Sequence, residues 1–128
     1  MKKIILSLVL VGIATIVFVA CSSIAGGSGS QPNTVHMTDS TFGQSSITIA
    51  KGSKLTLVSD TSQAHIIDNG TWGNDGLPHV KVEPGAPVIK DEQFLDNTPK
   101  SFGPFNTPGT YQLYCTIHSN MNLTVHVK

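Results

Sequence analysis

Turn-forming residues interrupt this chain so often that only strand-length segments lie between them. From Asn33 onward, Lys51-Gly52-Ser53, Asp68-Asn69-Gly70, Glu83-Pro84-Gly85 and Thr107-Pro108-Gly109 each mark a turn. The segments between them alternate in polarity. Thr34–Thr38, Ser46–Ala50, Lys54–Val58 and Met121–Val127 place apolar residues at every second position, and Thr110–Cys115 is a further strand-length segment after its turn. That period belongs to a strand with one buried face. No window of eleven or more residues carries a helical repeat with caps. The pattern predicts an all-β sandwich or barrel of seven or eight strands.

The stretch from Asn69 to Pro104 is harder to read. Ala64–Ile67 forms a short apolar strand that the Asp68-Asn69-Gly70 turn should end. Val80–Val82 and Val88–Ile89 are weak strands, and one helical turn is expected near Lys90-Asp91-Glu92-Gln93. The remainder reads as loop.

The N-terminus belongs to a different class of sequence. Lys2 and Lys3 precede an apolar run from Ile4 to Val19, the layout of a secretory signal. The run ends in Phe18-Val19-Ala20-Cys21, which resembles the processing box of bacterial lipoproteins. That resemblance implies a signal peptide over 1–20 and an acylated Cys21. Residues 21–33 are rich in Gly and Ser and form a flexible tether with a reach of about 20 Å. The folded domain is therefore expected over 34–128. It would sit outside the cytoplasm, anchored to the outer face of the cell membrane.

Charge excludes one class of partner. Lys+Arg and Asp+Glu both number 8, none of the basic residues is Arg, and the net charge is +0. Nucleic-acid binding needs a basic face that this chain does not supply. Charged residues make up only 12%, and 39% are hydrophobic, so a packed core is expected. A single domain of this kind is expected to be a monomer.

The chemistry is concentrated in Pro108-Gly109-Thr110-Tyr111-Gln112-Leu113-Tyr114-Cys115-Thr116-Ile117-His118-Ser119-Asn120-Met121. Cys115, His118 and Met121 follow one another at intervals of three residues. A thiolate, an imidazole and a thioether on one short loop form a soft donor set. One upstream histidine would complete the two imidazoles, one thiolate and one thioether of a blue-copper electron-transfer site. Zinc fits less well, because structural zinc sites draw on more cysteines and not on thioethers. A Cys115–His118 nucleophile–base pair is conceivable, but no orienting residue accompanies it. No phosphate-cradling loop is present.

This stretch resembles the cupredoxin family, the small blue-copper proteins, in its short-loop form. The resemblance rests on Pro-Gly-Thr-Tyr, on Tyr-Cys, and on the Cys-x2-His-x2-Met spacing. It implies a Greek-key β-sandwich holding one copper ion that cycles between Cu(I) and Cu(II). It also implies His65, fifty positions before Cys115, as the fourth ligand beside Cys115, His118 and Met121. His79, at a loop–strand junction, is the rival, whereas His36 and His126 fall among polar neighbours on alternating strands. Many cupredoxins carry Asn or Ser after the first ligand His and Pro before the second; Ile66 and Ile117 stand there in this chain. The implied function is one-electron transfer to redox proteins by transient docking, with no enzymatic activity. A copper-binding or copper-delivery lipoprotein is the alternative.

Overall fold

The computed structural model describes residues 31–128. The expected signal peptide, Cys21 and most of the tether lie outside the described residues. The described residues form nine strands, β1 (Thr34–Met37), β2 (Ser46–Ile49), β3 (Leu55–Ser59), β4 (His65–Trp72), β5 (Pro78–Val80), β6 (Glu92–Phe94), β7 (Lys100–Phe102), β8 (Gly109–Cys115) and β9 (Asn122–Val127). A three-stranded sheet runs β1-β3-β7, and a larger sheet runs β2-β9-β8-β4-β5, with β6 also paired to β4. Pairing is mostly antiparallel, but β1–β3 and β2–β9 are parallel. Parallel neighbours require the chain to cross between sheets, which makes the sandwich more than a simple meander.

Alternation explains which face is buried. Leu55, Leu57 and Ser59 of β3 point inward, as do Leu123, Val125 and Val127 of β9. Val35 and Met37 from β1, and Tyr111 and Leu113 from β8, close the same core. Each buried aliphatic side chain contributes about 1.5–3 kcal/mol relative to exposure. The Tyr111 hydroxyl donates to the Thr107 carbonyl at 2.6 Å, so the ring is buried without stranding its polar end.

The structure departs from the sequence reading in the middle of the chain. Asp68-Asn69-Gly70 is not a turn; β4 runs through it to Trp72. The Asp68 and Asn69 side chains are buried and accept backbone N–H groups from another segment, Asp91 N to Asp68 Oδ1 and Ile89 N to Asn69 Oδ1, both at 2.6 Å. Residues that usually cap their own turn here anchor a distant loop, and the strand continues. Gly70 sits at φ 134° with the His79 carbonyl where a Cβ would have to stand, so only glycine lets β5 approach there.

The same contacts decide the neighbouring segment. Val88–Ile89 is not a strand, because Ile89 bonds to the amide side chain and backbone N–H of Asn69 instead of to a ladder. No helical turn forms at Lys90–Gln93, because Asp91 takes a left-handed φ of 53° and leads directly into β6. The expected Val80–Val82 strand is shifted to Pro78–Val80. Strand β7, three residues between Pro99 and Gly103, escapes pattern reading because it is too short to alternate. These short strands raise the count above the expected seven or eight.

Candidate metal centre

The site lies where β4 begins and β8 ends. In the β4–β8 ladder Ile67 stands opposite Cys115. Residues directly opposite share a face of the sheet, and so do residues two apart on one strand. His65 therefore points to the same inward face as Ile67 and Cys115. His65 and Cys115 are both fully buried, at 0% exposure.

The loop after Cys115 brings the remaining groups round. Asn120 adopts a left-handed φ of 62°, a conformation that Asn tolerates better than most residues. Met121 N–H donates to the His118 carbonyl at 3.3 Å, and Cys115 N–H donates to the Met121 carbonyl at 3.0 Å. The ladder that pairs Tyr114 with Asn122 thus continues for one step and sets Met121 opposite Cys115. The Met121 side chain is buried at 2% exposure, on the inward face of that step.

Three donors converge. Cys115 Sγ lies 3.4 Å from His118 Nδ1 and 3.8 Å from His65 Nδ1. The ligating atoms of His65, Cys115 and His118 all fall within 4.8 Å of one another. The two imidazole rings stand edge to face, with centroids 4.9 Å apart. First-row metal ions bond to imidazole nitrogen and thiolate sulfur at about 2.0–2.3 Å, which puts two such donors about 3.4–3.7 Å apart around one ion. Both separations from Cys115 Sγ lie close to that spacing, so these residues fit a shared metal ion.

Electrostatics favour ligation at His65. Burial, followed by the neighbouring His118, lowers its pKa below the ordinary histidine range, against smaller opposing effects from the Thr38 backbone and Asp39. A neutral imidazole is the form that binds metal. His65 Nε2 is buried without a well-directed hydrogen bond, although the Thr38 backbone is near. Tyr114, just before the thiol, has its pKa raised by burial and by the carboxylates of Asp68 and Asp91.

The other histidines lie elsewhere. His79, on exposed β5, binds both carboxylate oxygens of Asp75 at 3.0 Å. His36 pairs with Asp60 at 2.7 Å on the surface, and His126 contacts Thr110 Oγ1 at 3.2 Å. Among the described residues, His65 is thus the histidine that joins Cys115 and His118.

The polar tie that Ile66 lacks as a side chain is made by its backbone. Thr116 N–H donates to the Ile66 carbonyl at 2.8 Å and joins the segments that carry His65 and Cys115. Sequence alone does not decide where Trp72 goes. Its indole N–H donates to the Cys115 carbonyl at 2.8 Å, and its ring stands edge-on to Tyr114. Asn122 brackets the Trp72 backbone through both ends of its amide.

No protein-family model and no curated protein matches the sequence. Solved structures do match. Amicyanin from Paracoccus versutus (Thiobacillus versutus) superposes with a TM-score of 0.57 at 19% identity, covering 78% of this chain and 84% of amicyanin. A mutant plastocyanin of fern superposes with a TM-score of 0.55 at 24% identity, covering 74% of this chain and 99% of the plastocyanin. Identity this low speaks to architecture alone, and a fold by itself does not fix a function. Two packed β-sheets with this strand arrangement, matched over most of both relatives, give the chain the cupredoxin fold.

Proposed function

We propose that this protein is a type 1 copper electron carrier, tethered to the outer face of a membrane through an acylated Cys21. The observation that carries the reading is the cage itself, one buried thiol with an imidazole Nδ1 at 3.4 Å and another at 3.8 Å from its sulfur, and a buried thioether opposite the thiol. Two imidazoles, one thiolate and one weak thioether are the donors of a blue-copper centre. Copper held there supplies the one-electron couple.

The chain's own residues supply the rest. Copper would be held by the Cys115 thiolate and the His65 and His118 imidazoles, with the Met121 thioether as the weakest donor. His65 and Cys115 are strand residues and Met121 directly precedes β9, so the cage resists rearrangement between oxidation states. His65 is buried, whereas His118 is partly exposed and gives the site its edge to solvent. Ile117 beside it is 50% exposed, and Leu77 is 59% exposed. Apolar surface of this kind suits the small, transient interfaces of redox partners. A tether at Cys21 would hold the carrier near membrane-bound partners and raise its effective concentration there.

Copper(II) titration followed by visible absorption tests the centre. An intense thiolate-to-copper band is expected in the wild type and absent in Cys115→Ala. A band that survives the substitution overturns the assignment. Tight Cu(I) binding without a reversible redox couple would instead indicate copper delivery. For the anchor, Cys21→Ser should release the protein from the membrane fraction, and unchanged membrane retention would refute it.

A further inference from the structure

We propose that Trp72 is a positioning residue for the metal centre, its indole N–H clamping the peptide group that carries Cys115. The inference rests on the copper reading above and concerns how the cage keeps its shape.

The peptide between Cys115 and Thr116 is held at both ends. Its carbonyl accepts the Trp72 indole N–H at 2.8 Å. Its N–H donates to the Ile66 carbonyl at 2.8 Å, one residue from His65. Rotation of that peptide would break one bond or the other. Cys115 N–H is fixed independently by the Met121 carbonyl at 3.0 Å. The N–H and the carbonyl of Cys115 are thus both tied down, and the direction of its Cβ–Sγ arm follows.

Trp72 is itself held from the far side of the ligand loop. The Asn122 side chain accepts Trp72 N–H at 2.7 Å and donates to the Trp72 carbonyl at 3.1 Å. Asn122 directly follows Met121. The indole also packs edge-on against Tyr114, with centroids 6.2 Å apart and an interplanar angle of 87°. The hairpin from Trp72 to β5 is therefore linked by hydrogen bonds to residues on both sides of the Cys115–Met121 loop. A tryptophan serving only to pack the hairpin would need the ring but not the N–H.

Partners outside the ligand sphere typically change metal affinity 10–100-fold when removed. The chain contains one Trp, so biosynthetic replacement of tryptophan by β-(3-benzothienyl)alanine alters position 72 alone. That analogue keeps the bicyclic shape and replaces the N–H by sulfur. The expected result is copper(II) affinity lower by about tenfold or more in chelator competition. A displaced thiolate-to-copper band, and faster amide exchange at Thr116 in the metal-free protein, are expected with it. Trp72→Phe should shift the same three readouts in the same direction, and it carries the test if the analogue protein does not fold. Affinity, band energy and Thr116 exchange all equal to wild type would overturn the role of Trp72 while leaving the copper site standing. Absence of the band in the wild type would overturn both.

Discussion

Replacing His65 separates the proposed cage from every other histidine arrangement, and the size of the effect can be worked out. A ligand that binds only the folded state stabilises it by RT ln(1 + [L]/Kd), about 2.7 kcal/mol at a hundred times Kd. For a folded domain of about 100 residues, each kcal/mol moves Tm by about 4–8 °C, so copper should raise Tm by about 11–22 °C. His65 is fully buried, and its Nδ1 lies 3.8 Å from Cys115 Sγ. Removing it takes away one of three strong donors, which should weaken affinity at least as much as losing an outer partner, about 100-fold. At the same copper concentration the stabilisation then falls to about 0.4 kcal/mol, or about 2–3 °C. His79→Ala removes an exposed side chain paired with Asp75 and should leave the full copper-dependent rise. Differential scanning calorimetry with and without copper reads both variants, each against its own metal-free baseline. A full copper-dependent rise in His65→Ala, or its loss in His79→Ala, refutes the geometry of the cage.

Three further outcomes follow from other contacts. Tyr111→Phe removes the hydrogen bond to the Thr107 carbonyl, now 2.6 Å, and should cost about 0.5–1.5 kcal/mol in urea denaturation with the copper band unchanged; equal stability, or an altered band, would count against it. Because the pKa of His65 is lowered in the folded state, the unfolded chain binds more protons below its ordinary value of 6.5. Metal-free stability should therefore decline as pH falls below about 6.5, and Tm measured against pH should lose that component in His65→Ala; identical profiles would refute it. Ile117→Lys puts a like charge on both faces of a self-encounter beside His118, and should slow electron self-exchange measured by NMR line broadening by about tenfold or more; an unchanged rate would place the docking surface elsewhere.

The sheets are legible wherever a strand has one wet face. Burial in β3 and β9 alternates strictly, and the period in the sequence marks the same two faces. Cys115, His118 and Met121 are legible because one loop carries all three and their spacing is local. His65 can be named only through a resemblance, since nothing near it in sequence marks it as different from His79. What selects it is the register of β4 against β8, a pairing between residues nearly fifty positions apart. Trp72 and Asn122 are illegible for the same reason, because their bonds to Cys115 and to each other span more than forty positions. Composition says what such side chains can do, but not which partner they meet.

The largest misreading falls on β4, and its cause bears on the site. Among the described residues the buried polar side chains are Thr34, Ser59, His65, Asp68 and Asn69, and the last three share this strand. An isolated buried polar group is costly, so each needs a specific partner or a ligand. Asp68 and Asn69 find theirs in the backbone at Asp91 and Ile89, which pins the irregular segment ahead of β6. Strand β6 in turn pairs with β4 at His65 itself, where Phe94 stands opposite. The polar residues that break the alternation are thus the ones that hold the segment leading into β6 beside His65. Part of the irregular middle of the chain is thereby held next to His65, one member of the proposed cage, and the local sequence rules fail there because these side chains serve long-range contacts rather than their own turn.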